Sequence, residues 1–314
     1  MLKKIFSYIV YGIVYAFWYT MSLLPLRLLY VFSDFLYLLI GVIVRYRHRV
    51  IWENLESSFP EKNKEELLKI EKDFYHYFAD YLVETIKLMT MSPEELQKRM
   101  VFTGIEDVEK AVDQGLSCGC YLGHYGNWEW ITSLPYWIPE KSLCCEFYHP
   151  LENALFDNLI KKVRERQGAL CIPMQESLRR IVQFRQQGKP LVIGYIADQA
   201  PHWKNIHHWV DFLNHDTPVL TGTERIIKKT RQAAFYMDVK RVKRGYFTCE
   251  FRLIAMDTKG ISDFELTDIY FRELEKTIRR NPGCYLWSHN RWKRTREEFN
   301  ERFEVIDGKV YEKE

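Results

Sequence analysis

The chain's seven cysteines contain no CxxC pair, and they are an odd number spread over 314 residues. Disulfide frameworks belong to small, cysteine-dense secreted chains, so this one is not built on one, and its main body reads as facing a reducing compartment. Cys118 and Cys120 flank a glycine, and Cys144 and Cys145 are adjacent. All four lie in apolar runs where a thiol behaves as a small hydrophobe. Net charge is also scarce: +3 at pH 7 is too little to suggest a nucleic-acid partner, although local basic runs remain. No HExxH occurs. His202, His207 and His208 crowd into HWKNIHHW, but none of them shares the i, i+4 spacing of a helical zinc site. No metal and no cofactor is therefore expected, and the segment reads as an aromatic, amphipathic loop near a membrane surface. No internal repeat or low-complexity linker divides the chain.

What is plentiful is apolar and aromatic surface. From Phe6 to Leu26 the chain carries no formal charge, a length that as a helix crosses a hydrocarbon core of roughly 30 Å. Tyr8, Tyr11, Tyr15, Trp18 and Tyr19 add an interfacial flavour. Arg27 interrupts, and a second apolar run, Phe35 to Val44, is too short to span alone. Lys3 and Lys4 precede the first run; Arg45, Arg47 and Arg49 follow the second. With no small-residue cleavage site, an uncleaved anchor fits better than a signal peptide, and positive charge on both flanks suits a segment with both ends cytoplasmic. A buried helix of a soluble protein has the same composition. The expected division is an anchor over residues 1–45 and a catalytic domain over 46–314.

Beyond the anchor, Pro60 precedes a helix expected from about Lys62 to Met89, with Leu67, Leu68, Ile70, Phe74, Phe78, Tyr81, Leu82 and Ile86 largely at three- and four-residue spacing. Strand-like apolar runs then alternate with helical ones. Strands are expected at 116–122, 142–148, 169–174 and 190–197, and helices near 151–167 and 176–187. Residues 233–242 and 246–255, split by Lys-Arg-Gly, read as an antiparallel pair. This pattern predicts an α/β fold: a central, mostly parallel mixed sheet flanked by helices, with an N-terminal membrane helix.

In such sheets functional groups gather beyond the carboxyl ends of the strands. His124 stands there, in YLGHYGNWEW, after the run 116–122 and Gly123. Gly126 permits a tight turn, Asn127 can cap a helix starting at Trp128, and Glu129 then falls in its first turn. Residues i and i+5 do not share a helical face, so the histidine must fold back from a loop for the two to touch. A carboxylate on one imidazole nitrogen fixes the tautomer and leaves the other to take a proton from an alcohol. The helix N-terminus offers N–H groups to an oxyanion. The expected pair is His124 as base and Glu129 as its partner; a capping histidine and a surface acid would share the spacing.

GHYGNWEW resembles the His-x4-Asp/Glu motif of the late acyltransferases of lipid A biosynthesis, the lauroyl/myristoyl transferase family. The likeness extends through RYRHRVIWENLESSFPE (Arg45 to Glu61), KKVRERQGALCIP (Lys161 to Pro173), ADQAP (Ala197 to Pro201) and CYLWSHNRWKR (Cys284 to Arg294). It implies an acyltransferase-like fold and an inner-membrane enzyme with a cytoplasmic active site. Such an enzyme carries a fatty acyl group from acyl carrier protein to a hydroxyl of a lipid A precursor. It implies His124 and Glu129 as catalytic residues, an arginine of the site at Arg164 and a strand-end aspartate at Asp198. Asn127 and Arg291 join Arg164 and Asp198 as candidate substrate-binding residues. FPE at Phe59 to Glu61 lies upstream of His124 and lacks the continuation of the glycerophosphate branch, which counts against that acceptor. Another glycolipid or phospholipid acceptor, or a membrane-associated thioesterase or hydrolase, uses the same motif.

The basic runs IIKKTR (Ile226 to Arg231), KRVKR (Lys240 to Arg244), TIRR (Thr277 to Arg280) and RWKRTR (Arg291 to Arg296) read either as solvated faces or, beside an anchor, as surfaces for anionic head groups or an acidic carrier.

Overall fold

The computed structural model describes residues 2–306 and 308–313; the side chains of residues 2–5, Lys3 and Lys4 among them, lie outside the described residues. Helix α1 (Leu2–Leu23) ends before Leu24 and Pro25, and α2 (Leu26–Tyr37) continues through a π-helical turn, Leu38–Ile43. The second apolar segment was expected to be too short to span alone. It is instead continuous with the residues before it, so Leu26–Ile43 is a second helix long and apolar enough to cross a membrane, beside Phe6–Leu23. The break falls at Pro25, which lacks the N–H a continuing helix needs and which therefore starts α2. Both helices rest one side on the body. Leu29 and Ser33 are buried, and the Trp18 Nε1 donates to Ile86 O at 3.1 Å. Phe6, Ile9, Ile13 and Phe17 on α1, and Val31 and Phe35 on α2, are exposed.

Helix α3 (His48–Ser58) leads to α4 (Lys64–Leu88), two residues shorter than expected at its start and one at its end. Its start is set by a capping box: Asn63 Oδ1 accepts from Glu66 N at 3.0 Å, and Glu66 Oε2 accepts from Asn63 N at 2.9 Å. After α5 (Pro93–Arg99) come β1 (Met100–Thr103), α6 (Glu106–Asp113) and β2 (Cys118–Leu122). Next follow β3 (Leu143–Tyr148), α7 (Ala154–Glu165), β4 (Leu170–Pro173), α8 (Ser177–Gln186) and β5 (Leu191–Ile196). A small antiparallel hairpin, β6 (Trp209–Phe212) with β7 (His215–Pro218), precedes α9 (Gly222–Thr230). The long strands β8 (Ala233–Lys243) and β9 (Tyr246–Ala255) pair antiparallel across a turn at Gly245, where φ is +71°. The chain closes with α10 (Glu265–Arg280), α11 (Arg296–Arg302) and the hairpin of β10 (Phe303–Ile306) and β11 (Lys309–Glu312).

Seven strands make the central sheet in the order β1-β9-β8-β2-β5-β3-β4. Every neighbouring pair is parallel except β8 and β9. The expected mixed, mostly parallel α/β sheet is therefore the one observed. β2 is buried at all its positions, as a central strand covered on both faces must be. All seven cysteines are free and buried.

The aromatic loop after β5 does not cluster its histidines. Trp203 and Trp209 pack with Ile206, Phe299 and Phe303 in a satellite core under the terminal hairpin, while His208 Nε2 lies 2.7 Å from Asp268 Oδ1. No group of three or more His, Cys, Asp or Glu side chains placed to hold a metal occurs among the described residues. Several of the basic side chains are committed to buried carboxylates: Arg241 and Arg244 pair with Asp80, and Arg280 with Asp238. Lys228 pairs with Asp263 at the surface.

Candidate active site

Strands β2 and β5 run side by side in parallel with Leu122 opposite Ile196. Two residues further along each chain stand His124 and Asp198, so the register alone brings them together above the same edge of the sheet. Gly123 leaves room for the packing of α10 beside the turn: a Cβ there would sit 2.6 Å from Leu274 Cδ1. The Asp198 carboxylate is 2% exposed and grips the histidine twice. Its Oδ2 accepts from the His124 backbone N–H at 3.0 Å, and its Oδ1 lies 2.7 Å from His124 Nδ1. Burial by itself would raise this carboxyl, but the imidazole and the two hydrogen bonds from His124 hold it below the usual aspartate range. An ionised carboxylate only accepts, so Nδ1 carries the hydrogen and Nε2 offers its lone pair to the cavity.

The expected partner, Glu129, is engaged elsewhere. Its two oxygens take a bidentate bond from Arg164, Nε to Oε2 at 2.8 Å and Nη2 to Oε1 at 2.6 Å. The third arginine nitrogen, Nη1, lies 3.3 Å from Glu146 Oε1. Burial works against the charge on Arg164, yet Glu129 and Glu146 raise its pKa above the ordinary value. Burial pushes the Glu146 carboxyl up, and Arg164 opposes the shift. The segment Trp128–Tyr136 is a 3₁₀ helix, not the regular α-helix expected, and it turns the Glu129 side chain toward α7 and Arg164. The two groups of the motif thus belong to two separate ion pairs, and Asp198, expected to bind substrate, is the residue that orients His124.

Two further expectations change. Asn127 is fully buried; its Oδ1 caps Trp130 N at 3.1 Å and its Nδ2 donates to Glu84 Oε2 at 2.6 Å, so it does not reach the cavity. Arg291 is 2% exposed, donates from Nη2 to Pro218 O at 3.0 Å and lies over the Phe271 ring. It acts from behind, as one of the charges that hold the Asp198 carboxyl down. The segment carrying it clamps the turn through its backbone. Leu286 N donates to His124 O at 3.1 Å and Gly126 N to Cys284 O at 3.0 Å.

Above Nε2 opens a cavity of about 570 Å³, within the range of small-ligand sites. Leu122, Ile131, Leu134, Val192, Ile196 and Met237 give it apolar walls, and Gly194 leaves room between the strands. Polar groups complete its lining, among them His149, Arg164 and His202. Trp128 stands edge-on to His124 with ring centroids 5.1 Å apart. Gln199, to which the sequence reading assigned no role although it stands in ADQAP, lines the cavity with its Nε2 3.4 Å from His124 Nε2. With Nδ1 carrying the hydrogen, the Gln199 amide donates to Nε2 across this contact; its adjacency to Asp198 in ADQAP is the sequence signal for it.

A carboxylate-held imidazole facing a largely apolar cavity, on a mostly parallel α/β sheet, is the arrangement of an enzyme with a histidine at its site. The chain belongs to the bacterial lipid A biosynthesis acyltransferase family, whose model matches residues 2–294, and it is an O-acyltransferase. It is similar to lipid A biosynthesis acyltransferase 2 of Shigella flexneri, 21% identical over 261 residues that cover 79% of this chain and 78% of that one. The lipid A biosynthesis myristoyltransferase of Escherichia coli (strain K12) is 21% identical over 237 residues, 74% of this chain and 71% of its own.

Proposed function

We propose that the protein transfers a fatty acyl chain from acyl carrier protein to a hydroxyl of a lipid A precursor, at the cytoplasmic face of the inner membrane. The observation that carries this reading is the 2.7 Å contact of Asp198 with Nδ1 of His124, whose side chain lines the apolar cavity. His124 Nε2 takes the proton of the acceptor hydroxyl as that oxygen attacks the thioester carbonyl. Asp198 stabilises the imidazolium that forms, and the Gln199 amide donates to the developing oxyanion. Collapse breaks the carbon–sulfur bond, and the proton on Nε2 passes to the departing thiolate, so the enzyme ends as it began. The acyl chain occupies the cavity between β2, β3 and β5. Arg164, held by Glu129 and Glu146, forms part of its wall. Residues 1–45 serve as the membrane anchor and 46–314 as the acyltransferase domain, the exposed apolar faces of α1 and α2 meeting lipid.

The test is a transfer assay with purified protein, acyl carrier protein loaded with mixed acyl chains, and an under-acylated lipid A precursor, read by mass spectrometry. One added acyl mass, absent with His124→Ala, is expected. Free fatty acid without transfer would mark a hydrolase, and transfer only to another glycolipid or a phospholipid would move the acceptor.

A further inference from the structure

Helix α4 lays one face under the His124 turn. Tyr77 OH donates to Gly126 O at 2.7 Å, and Tyr81 OH lies 3.5 Å from Glu129 Oε1. Glu84 Oε2 accepts from Asn127 Nδ2 at 2.6 Å, and Glu84 O accepts from Trp130 Nε1 at 3.3 Å. Positions 77, 81 and 84 form one helical stripe. One straight element therefore holds Gly126, Asn127, Glu129 and Trp130 together. The same helix also grips α2. Tyr30 OH donates to Glu84 Oε1 at 2.8 Å, and one turn earlier Ser33 Oγ donates to Asp80 Oδ1 at 2.6 Å.

Glu84 is the junction of these contacts. It is 1% exposed, lines no cavity wall, and forms no ion pair among the described residues. Burial, with Asp80 beside it, pushes its carboxyl up to about 7, against the pull of Asn127 and Tyr30. A carboxylate in such a place is costly, and an apolar side chain would pack there at less cost. What a carboxylate alone supplies is two acceptors, one for the turn and one for α2.

We infer that Glu84 is a positioning residue: its carboxylate holds Asn127, and through Asn127 the His124-to-Trp130 turn, in register with helix α2. Asn127 transmits the restraint because its other end caps Trp130 N at 3.1 Å. The seat of the N-terminal helix pair on the body and the aim of the His124 loop are then linked through one side chain outside the cavity lining. This inference rests on the reading of His124 as the base.

The experiment is a swap. Glu84→Gln can keep its oxygen on Asn127 and turn its amide N–H to the Tyr30 hydroxyl, which rotates to accept, so this variant should stay within a few-fold of wild type. Glu84→Leu removes both acceptors, and kcat should fall on the order of ten- to a hundredfold while KM stays near wild type. Asn127→Asp alone sets two carboxylates face to face and should be impaired as well. In the double variant Glu84→Gln, Asn127→Asp every bond returns. The new amide nitrogen donates to the new carboxylate, the new amide oxygen accepts from Tyr30, and the second carboxylate oxygen caps Trp130 N. The double should recover most of the wild-type kcat. A wild-type kcat in Glu84→Leu, or a double no better than Asn127→Asp alone, overturns the inference. If Glu84→Leu does not fold, Tyr30→Phe removes one donor only; several-fold lower kcat is expected, and unchanged kcat counts against the junction. Amide hydrogen exchange of residues 124–130 reads the same restraint without turnover: faster in Glu84→Leu and in Asn127→Asp, restored in the double. A wild-type enzyme that transfers nothing would sink the proposed reaction, while the exchange result would still decide the role of Glu84.

Discussion

Asp198 holds His124 by two bonds at once, one to the backbone N–H at 3.0 Å and one to Nδ1 at 2.7 Å. The carboxylate thus sets both where the imidazole stands and which nitrogen is free. The pair lies two residues beyond the matched strand ends Leu122 and Ile196, so the rigidity of the sheet passes directly to the imidazole.

Replacing Asp198 by Asn keeps the shape and reverses the tautomer. The new amide N–H donates to Nδ1, which leaves Nε2 protonated and unable to accept from the acceptor hydroxyl. The expected loss is about 10³- to 10⁴-fold in kcat, with little change in KM. Steady-state transfer kinetics beside a circular dichroism spectrum check it, and near-normal turnover would remove Asp198 from the mechanism.

Glu129→Ala strands Arg164 in the cavity lining with only Glu146 to face. Breaking a buried bidentate pair destabilises by about 3 kcal/mol, moderated here because the Arg164 side chain keeps 22% of its exposure. Turnover is expected to fall with it, since the freed guanidinium changes the field in the cavity it lines. Denaturant melts and kcat measured on one preparation separate the effects. Lost stability with intact kcat would make Glu129 purely architectural.

The raised Glu84 carboxyl gives the fold a pH signature. Its pKa rises from 4.5 in the unfolded chain to about 7 in the folded protein. The folded state therefore keeps a proton that the unfolded chain releases. Its contribution is most favourable below the unfolded value, falls as pH rises through this window, and is constant above it, a change on the order of 3 kcal/mol. Unfolding free energies of wild type minus Glu84→Gln across the window isolate it, because other titrations cancel. A pH-independent difference would contradict it.

Gly194 lies at the cavity wall, and a Cβ there meets only Leu122 Cδ2 at 3.6 Å, an ordinary contact. Gly194→Leu should therefore fold and fill the cavity. Each methylene an acyl chain can no longer bury costs about 0.8 kcal/mol, roughly fourfold in kcat/KM. Product masses from a mixed acyl donor pool should shift to shorter chains; an unchanged distribution would place the chain elsewhere.

Ile13 and Phe17 are 65% and 61% exposed on the outer face of α1. Asp at both sites puts charges where lipid is expected, at about 2.5–3.5 kcal/mol for each at a helix centre. Sedimentation with liposomes should be weakened. Unaltered sedimentation would move the membrane contact off this face.

Sequence alone determined the elements. Continuous apolar runs marked β2, β3, β4 and β5 to within two residues, since a strand covered on both faces can carry little else. The Lys-Arg-Gly turn marked the β8–β9 hairpin, and three- and four-residue apolar spacing marked α4. His124 was legible because a glycine-flanked histidine just past a buried strand has few structural reasons to be there. Its partner was not. Glu129 is five residues away and invites pairing, but a 3₁₀ helix turns it to Arg164, whereas Asp198 is 74 positions along the chain and arrives only through the parallel register of β2 with β5. Asn127 and Arg291 read as site residues because polar side chains inside motifs do, yet burial assigns them to support. Local sequence patterns record backbone propensity and which face is apolar. Which carboxylate meets which cation or imidazole is decided by strand register and helix type, quantities that exist only once the sheet has formed.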